Sequence, residues 1–299
     1  MTQYHPRKND KGQLVPLKHP SQPTDQSTWH HADQLATVTP DGPMPEQVNH
    51  LAIASWREVP TDSAGWERLA GVAGFDEPPM KSVAGKTPAS GAVVIEPDGR
   101  VWVVSPSNGF GGYAHTFPKG KLDPKEGLSL RANALKEVFE ESGLRVELTG
   151  FLCDSIRTTS VTRYYLAMRV GGNPAAMGWE SQATHLVPIS LLSSFVIHKN
   201  DVDIVNALNK KNETDSSRIV AKDNGTGGDL ELSGKIKVAK EKIRKVFNSI
   251  ECEEIKCGFN TVLVYALLEL ASEQGKDDDW FQEAFSETMW ERHNLNKQA

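Results

Sequence analysis

Glu137, Glu140 and Glu141 are the residues of this chain whose types and spacing most plainly suit chemistry. On a helix they stand at i, i+3 and i+4, so their carboxylates project from one face. Like charges at that spacing repel, and no basic residue is expected among them on that face. A cation between them would offset the cost. Hard oxygen ligands of this kind suit Mg2+, with Mn2+ as the alternative, leaving positions for phosphate oxygens and water. A solvated acidic face presents the same three glutamates, so the triplet needs its context.

That context is a helix and the loop before it. A helix is predicted from about Ser129 to Ser142, stopped by a glycine at Gly143. Leu130, Ala134, Leu135, Val138 and Phe139 form its apolar face, turned away from the carboxylates. The loop Gly120-Lys-Leu-Asp-Pro-Lys-Glu126 precedes it, and Phe117-Pro118-Lys119-Gly120-Lys121 sets two lysines beside a glycine, a phosphate-cradling composition.

Strands must carry this pair. Ser90 to Glu96 and Arg100 to Ser105 flank Pro97-Asp98-Gly99, a strong hairpin signal. Strands are also expected at Arg145 to Phe151, Asp154 to Thr159, Thr162 to Val170 and His185 to Pro188, before a helix near 201–210. Upstream, Ala52 to Trp56 suggests a strand and Ser63 to Val72 a short helix capped by Asp62 or Ser63. The order predicts an α+β domain, a mixed sheet sandwiched between helices.

The segment from Gly120 to Leu144 resembles the Nudix box, Gly-x5-Glu-x7-Arg-Glu-U-x-Glu-Glu-x-Gly-U, where U is aliphatic. Gly120 matches the opening glycine, and Glu137, Val138, Glu140, Glu141, Gly143 and Leu144 fill the second half without a gap. Lys136 stands where the pattern has arginine, which keeps the charge but loses the bidentate fork. Nine residues rather than seven separate Glu126 from Lys136. Either Glu126 matches the first glutamate, or Lys125-Glu126 is the insertion and Leu128 holds that position.

The resemblance covers roughly 85–210 and implies a Nudix fold and a metal-dependent hydrolase that splits a pyrophosphate linkage. It implies Glu137, Glu140, Glu141 and Lys136 as catalytic positions, and Glu137, Glu140, Glu141 and Gly120 as metal positions. Lys119, Lys121, Arg157 and Arg163 are the candidate phosphate-binding residues, and Glu180 is the candidate for a further carboxylate from a later loop. Trp179 could stack on a base or simply plug the Gly-rich loop. A nucleoside diphosphate linked to another moiety, as in ADP-ribose, is the first substrate expectation. A diadenosine polyphosphate or a diphosphoinositol is the second, and a non-catalytic nucleotide sensor the third.

The rest of the chain sets the organisation. Residues 1–45 are expected to be a flexible lead-in, with His5, His19, His30 and His31 exposed. Residues 46–210 are expected to form the domain that resembles Nudix proteins, with an N-terminal extension, and 211–229 a polar linker. Residues 230–299 are expected to be helical, from about Leu232 to Ile250, Asn260 to Glu273 and Asp279 to His293, and to offer a homodimer or protein-partner surface.

The net charge of −6 argues against a non-specific nucleic-acid binder. Cys252 and Cys257 lack the companions of a zinc site, so with Cys153 they read as reduced thiols of a cytoplasmic protein. Met1 to Asp10 has no apolar signal region, and the apolar run Val262 to Leu268 is far short of the ~20 residues that cross a bilayer.

Overall fold

The computed structural model describes residues 2–107, 109 and 112–223. In chain order the elements are β1 (Ala36–Val38), β2 (Gln47–Val48), β3 (Leu51–Ala52), α1 (Ser63–Ala70), β4 (Thr87–Ile95) and β5 (Val101–Pro106). They continue with β6 (Lys119–Lys121), α2 (Leu130–Ser142), β7 (Leu144–Ile156), β8 (Ser160–Gly172), β9 (Ser181–Val187), α3 (Ile189–Phe195) and α4 (Lys199–Asp223).

Seven strands form one mixed sheet in the order β1-β9-β5-β4-β8-β7, with β6 added against β4. Only β4 and β8 run parallel; the other pairs are antiparallel. Alternation along the strands feeds two cores, one on each face of the sheet. Ala92, Val94, Trp102 and Tyr165 join Leu135 and Val138 of α2 and Trp66 of α1. Val93, Val101, Val103 and Tyr164 join Leu192 of α3 and Ile204, Val205 and Leu208 of α4. The α+β expectation, a mixed sheet between helices, is met.

The helix that carries the glutamates is fixed at both ends. Ser129 caps it by accepting from the Ala132 amide, and Gly143 ends it at φ 70°, where an L side chain would be strained. Between the caps, Asn133 Nδ2 donates to Ser90 Oγ on β4 at 3.0 Å and to the Gly120 carbonyl on β6 at 3.2 Å. Phe139 meets Trp56 edge-on at 5.3 Å, and Trp66 meets Trp56 edge-on at 5.8 Å, so the outer side of α2 is locked to α1.

Several expectations are corrected. Arg145 to Phe151 and Asp154 to Thr159 are not two strands: β7 runs unbroken through Cys153, its register slipping three times against β8. The bulges displace side chains without ending the strand, which periodicity alone reads as a break. The strand expected at Ala52 to Trp56 is the small β2–β3 hairpin, with Ala54 making one bridge to Gly172.

The lead-in is not loose either. Val15 and Trp29 are buried, β1 forms the sheet edge beside β9, and His5 is buried while His19, His30 and His31 stay exposed. Few apolar residues lie in this stretch; Val15, Trp29, Ala36 and Val38 are buried while Tyr4 and Leu14 stay exposed, and Met1–Lys211 form one unit. The polar stretch after Lys210 is helical as far as Asp223, because no glycine or proline interrupts it before Gly225. The three helices expected beyond it, with Cys252 and Cys257, lie outside the described residues. No helix among the described residues is long and apolar enough to cross a membrane.

Candidate active site

β6 and α2 face each other so closely that only glycine fits between them at one point. A Cβ added to Gly120 would fall 2.1 Å from the carboxylate of Glu137. One helical turn on, Glu141 is 8% exposed and accepts a hydrogen bond from the Lys119 amide at 3.1 Å. Glu140 sits at the surface, with Lys136 Nζ 3.3 Å away. The same ammonium lies 3.4 Å from Glu126. A basic residue therefore does stand among the glutamates, against expectation, since residue 136 lies one turn before residue 140.

The end of α2 also recruits the turn before β9. The Gly178 amide donates to the Glu140 carbonyl at 2.7 Å, which brings Trp179 and Glu180 alongside the helix.

Crowding shows in the acidities. Burial, then the charges of Glu141 and Glu140, pushes the Glu137 carboxyl up to about 9. Burial pushes Glu141 up to about 7; Lys119 opposes the shift and Glu180 adds to it. Glu140 and Glu180 are raised as well, first by burial. Four carboxyls are thus held above their ordinary range by desolvation and by one another. Among the described residues no three Asp, Glu, His or Cys side chains converge tightly enough to form a ready-made metal centre. The donor set still fits a hard divalent cation that keeps water and phosphate ligands, since its oxygens are undercompensated in charge.

Glu141 and Glu180 open onto a cavity of about 710 Å³, within the size range of small-molecule sites. Lys119 and Lys121 of β6 line it beside them. Tyr113, His198, Lys199 and Asn200 line another part. Tyr113 stacks on His198 at 3.7 Å, and its hydroxyl accepts from Asn200 Nδ2 at 2.8 Å and from Arg157 Nη1 at 2.7 Å.

Residues 85–208 match the family model for the NUDIX domain. This part of the chain is a NUDIX domain. The RNA pyrophosphohydrolase of Caulobacter vibrioides is 37% identical over 97 residues, which cover 32% of this chain and 52% of that protein. The chain thus spans about half the length of the curated relatives it matches. Among solved structures, the MutT protein of Methanosarcina mazei Go1 is 17% identical, with 44% of this chain and 99% of that chain covered and a TM-score of 0.35. A C. elegans Ap4A hydrolase is 15% identical, with 43% and 98% covered and a TM-score of 0.36.

Within the NUDIX domain the predicted residues fall into two groups. Glu137, Glu140, Glu141, Lys136, Gly120, Lys119, Lys121 and Glu180 come together around α2 and β6. Glu126 pairs with Lys136, so the two extra residues of the loop leave it in reach of the helix.

The two arginines differ from expectation. Arg163 does not line the cavity: it lies on the α2 side of the sheet, held by Asp154 through two hydrogen bonds of 2.8 Å and by Glu77 at 3.2 Å. Its neighbour Tyr164 takes the cavity side, as strand alternation requires. Arg157 lines the cavity but is buried, ion-paired with Asp201 and hydrogen-bonded to Tyr164. Its Nη1 also donates to the Tyr113 hydroxyl, so it is part of the network that holds that ring in the cavity wall.

Asp201, Tyr113, Asn200 and His198 were missed from the sequence. Asp201 is fully buried and also accepts from Thr116 Oγ1 at 2.7 Å. An acid in the first turn of α4 looks like an ordinary helix-start residue.

Proposed function

We propose that this protein is a divalent-metal-dependent pyrophosphohydrolase acting on a nucleoside diphosphate linked to another moiety, of which ADP-ribose is the type. One observation carries the reading: the carboxylates of α2 crowd together, and Glu141 among them opens with Glu180 onto a cavity that Lys119 and Lys121 line beside them. The cations suit a diphosphate chain, and the carboxylates suit the ions that bridge it.

Glu137, Glu140 and Glu141, with Glu180 beside them, would hold Mg2+ or Mn2+. When bound, such an ion supplies Lewis acidity and offsets charge developing on the phosphoryl oxygens. Lys119 and Lys121 bind and orient the phosphates. A carboxylate oxygen of the four accepts the proton that the attacking water releases. Lys136 holds Glu140 and Glu126 in place.

The relative named an RNA pyrophosphohydrolase supports pyrophosphate cleavage as the reaction class. Diadenosine polyphosphates and diphosphoinositols are the rival substrates, and a nucleotide sensor without catalysis is the rival role. A cytoplasmic setting, and a homodimer or protein partner engaged through residues 230–299, complete the reading.

Phosphate release with Mg2+ from ADP-ribose, diadenosine tetraphosphate, a diphosphoinositol and a 5′-triphosphate RNA tests it, with Glu141→Gln alongside. Turnover of ADP-ribose that Glu141→Gln abolishes is expected. Wild type and variant equally inert on every compound would remove the enzyme reading and leave the sensor.

A further inference from the structure

The N-terminal arm lies outside the residues that match the NUDIX domain, yet it is bound to the site's edge by a continuous set of hydrogen bonds. The arm folds on itself through His5 N to Val15 O at 2.8 Å and Leu17 N to Gln3 O at 2.9 Å. Its tip is closed by Gly12 N to Asn9 O at 2.8 Å, and the Asn9 side chain accepts from the Lys11 and Gln13 amides.

The arm then docks. The Lys18 amide donates to the Ser107 carbonyl at 2.9 Å, and Gln182 accepts from the Ser21 amide while donating to the Lys18 carbonyl at 3.0 Å. Ser107 in turn grips the turn before β9, its amide on the Glu180 carbonyl and its hydroxyl on the Trp179 carbonyl, both at 2.7 Å. At the tip of the arm, Asp10 Oδ1 accepts from Trp179 Nε1 at 3.1 Å.

Trp179 is half-buried and lines the cavity beside Glu180. Its one polar atom is taken up by Asp10, and no aromatic ring among the described residues stacks on it. An indole held by its edge presents its flat face, which is the surface a planar heterocycle uses. Asp10 also adds negative charge near the carboxylates, and so helps raise the pKa of Glu140 and Glu180.

We propose that Trp179 is the stacking face of a nucleobase subsite and that Asp10, delivered by the N-terminal arm, is the positioning residue that holds it there. The proposal rests on the reading of the cavity as a nucleoside diphosphate site and adds which side chains meet and hold the base. The arm is then a working wall of the site rather than a leader to it.

Calorimetric titration of the full chain with Mg2+ compares ADP with inorganic pyrophosphate. Wild type is expected to bind ADP the more tightly. Trp179→Ala should weaken ADP binding roughly ten-fold, in keeping with one lost base–aromatic stack, and leave pyrophosphate unchanged. Trp179→Phe should recover most of the loss. Asp10→Ala should weaken ADP binding several-fold, and Asp10→Asn, which keeps an acceptor, should restore it. Unchanged pyrophosphate affinity is the control for folding. ADP bound no tighter than pyrophosphate, or Trp179→Ala weakening both alike, overturns the subsite. Asp10→Ala without effect on ADP, or Asp10→Asn as damaging as Asp10→Ala, overturns the role of the arm. Selective ADP binding without any phosphate release would instead defeat the hydrolase reading and leave this one standing.

Discussion

The carboxylate of Glu137 lies flat against Gly120, in the space that a β-carbon at position 120 would fill. The opening glycine and the first glutamate of the helical triplet are therefore one structural device, although seventeen positions apart in sequence. Gly120→Ala should displace the Glu137 side chain while β6 keeps its pairing with β4. A shift of about 1 Å in a catalytic group costs on the order of a hundred-fold in rate. Steady-state kinetics on the substrate found by the panel should show that loss in kcat, with a thermal midpoint near wild type. Full activity in the variant would mean that Glu137 is not part of the machinery.

Lys136 bridges Glu126 and Glu140 at 3.4 and 3.3 Å, and all three side chains are partly exposed. Exposed pairs contribute little to stability, from nothing to about 1 kcal/mol. Residues that orient metal ligands, by contrast, cost roughly ten- to a hundred-fold in metal affinity or activity when removed. Lys136→Met is therefore expected to lower activity and raise the Mg2+ concentration needed, with little change in thermal midpoint. Lys136→Arg should retain most activity. A large drop in stability with metal dependence unaltered would assign Lys136 a purely structural role.

How much of this was legible beforehand depends on how local the signal is. The triplet, the Gly143 stop, the Ser129 start and the Pro97-Asp98-Gly99 hairpin are local patterns, and the fold keeps each of them. Arg157 and Asp201 meet across forty-four positions, in a turn and a helix start that carry no shared motif. The side on which Arg163 points depends on its place in the alternation of β8, which residue type does not announce. The arm of residues 2–21 looks polar because it docks through backbone amides and the side chains of Ser107 and Gln182 rather than through an apolar face.

The buried Arg157–Asp201 pair makes a prediction about stability. Both side chains are almost fully shielded, and Asp201 also holds Thr116. Removing one partner of a buried pair leaves an uncompensated charge, which costs about 3–5 kcal/mol. Asp201→Ala should lower the unfolding free energy by that amount in urea denaturation and loosen Tyr113 through Arg157. The exposed pair Arg7–Asp41, broken by Asp41→Asn, should change it by less than about 1 kcal/mol. Equal effects from the two variants would show that the buried network contributes no more than the surface one.

His185 gives the pH dependence. It sits on β9 between Thr37 Oγ1 and Ser105 Oγ, each at 2.8 Å, and burial with neighbouring His115 pushes its pKa from 6.5 down to about 3. The folded state therefore keeps this imidazole neutral over a range where the unfolded chain protonates it. Above pH 6.5 both states are neutral and the group contributes no slope. Below that value the unfolded state gains a proton that the folded state refuses, so stability falls as pH falls, by up to roughly 1.4 kcal/mol per pH unit, until about pH 3. His115, also lowered by burial, acts in the same direction. Urea midpoints for wild type and His185→Gln from pH 7 to 4 isolate the effect, because titrating carboxylates contribute to both proteins. The wild-type advantage at pH 7 should shrink toward pH 4, and parallel curves would mean that His185 takes up its proton in the folded core as readily as in the unfolded chain.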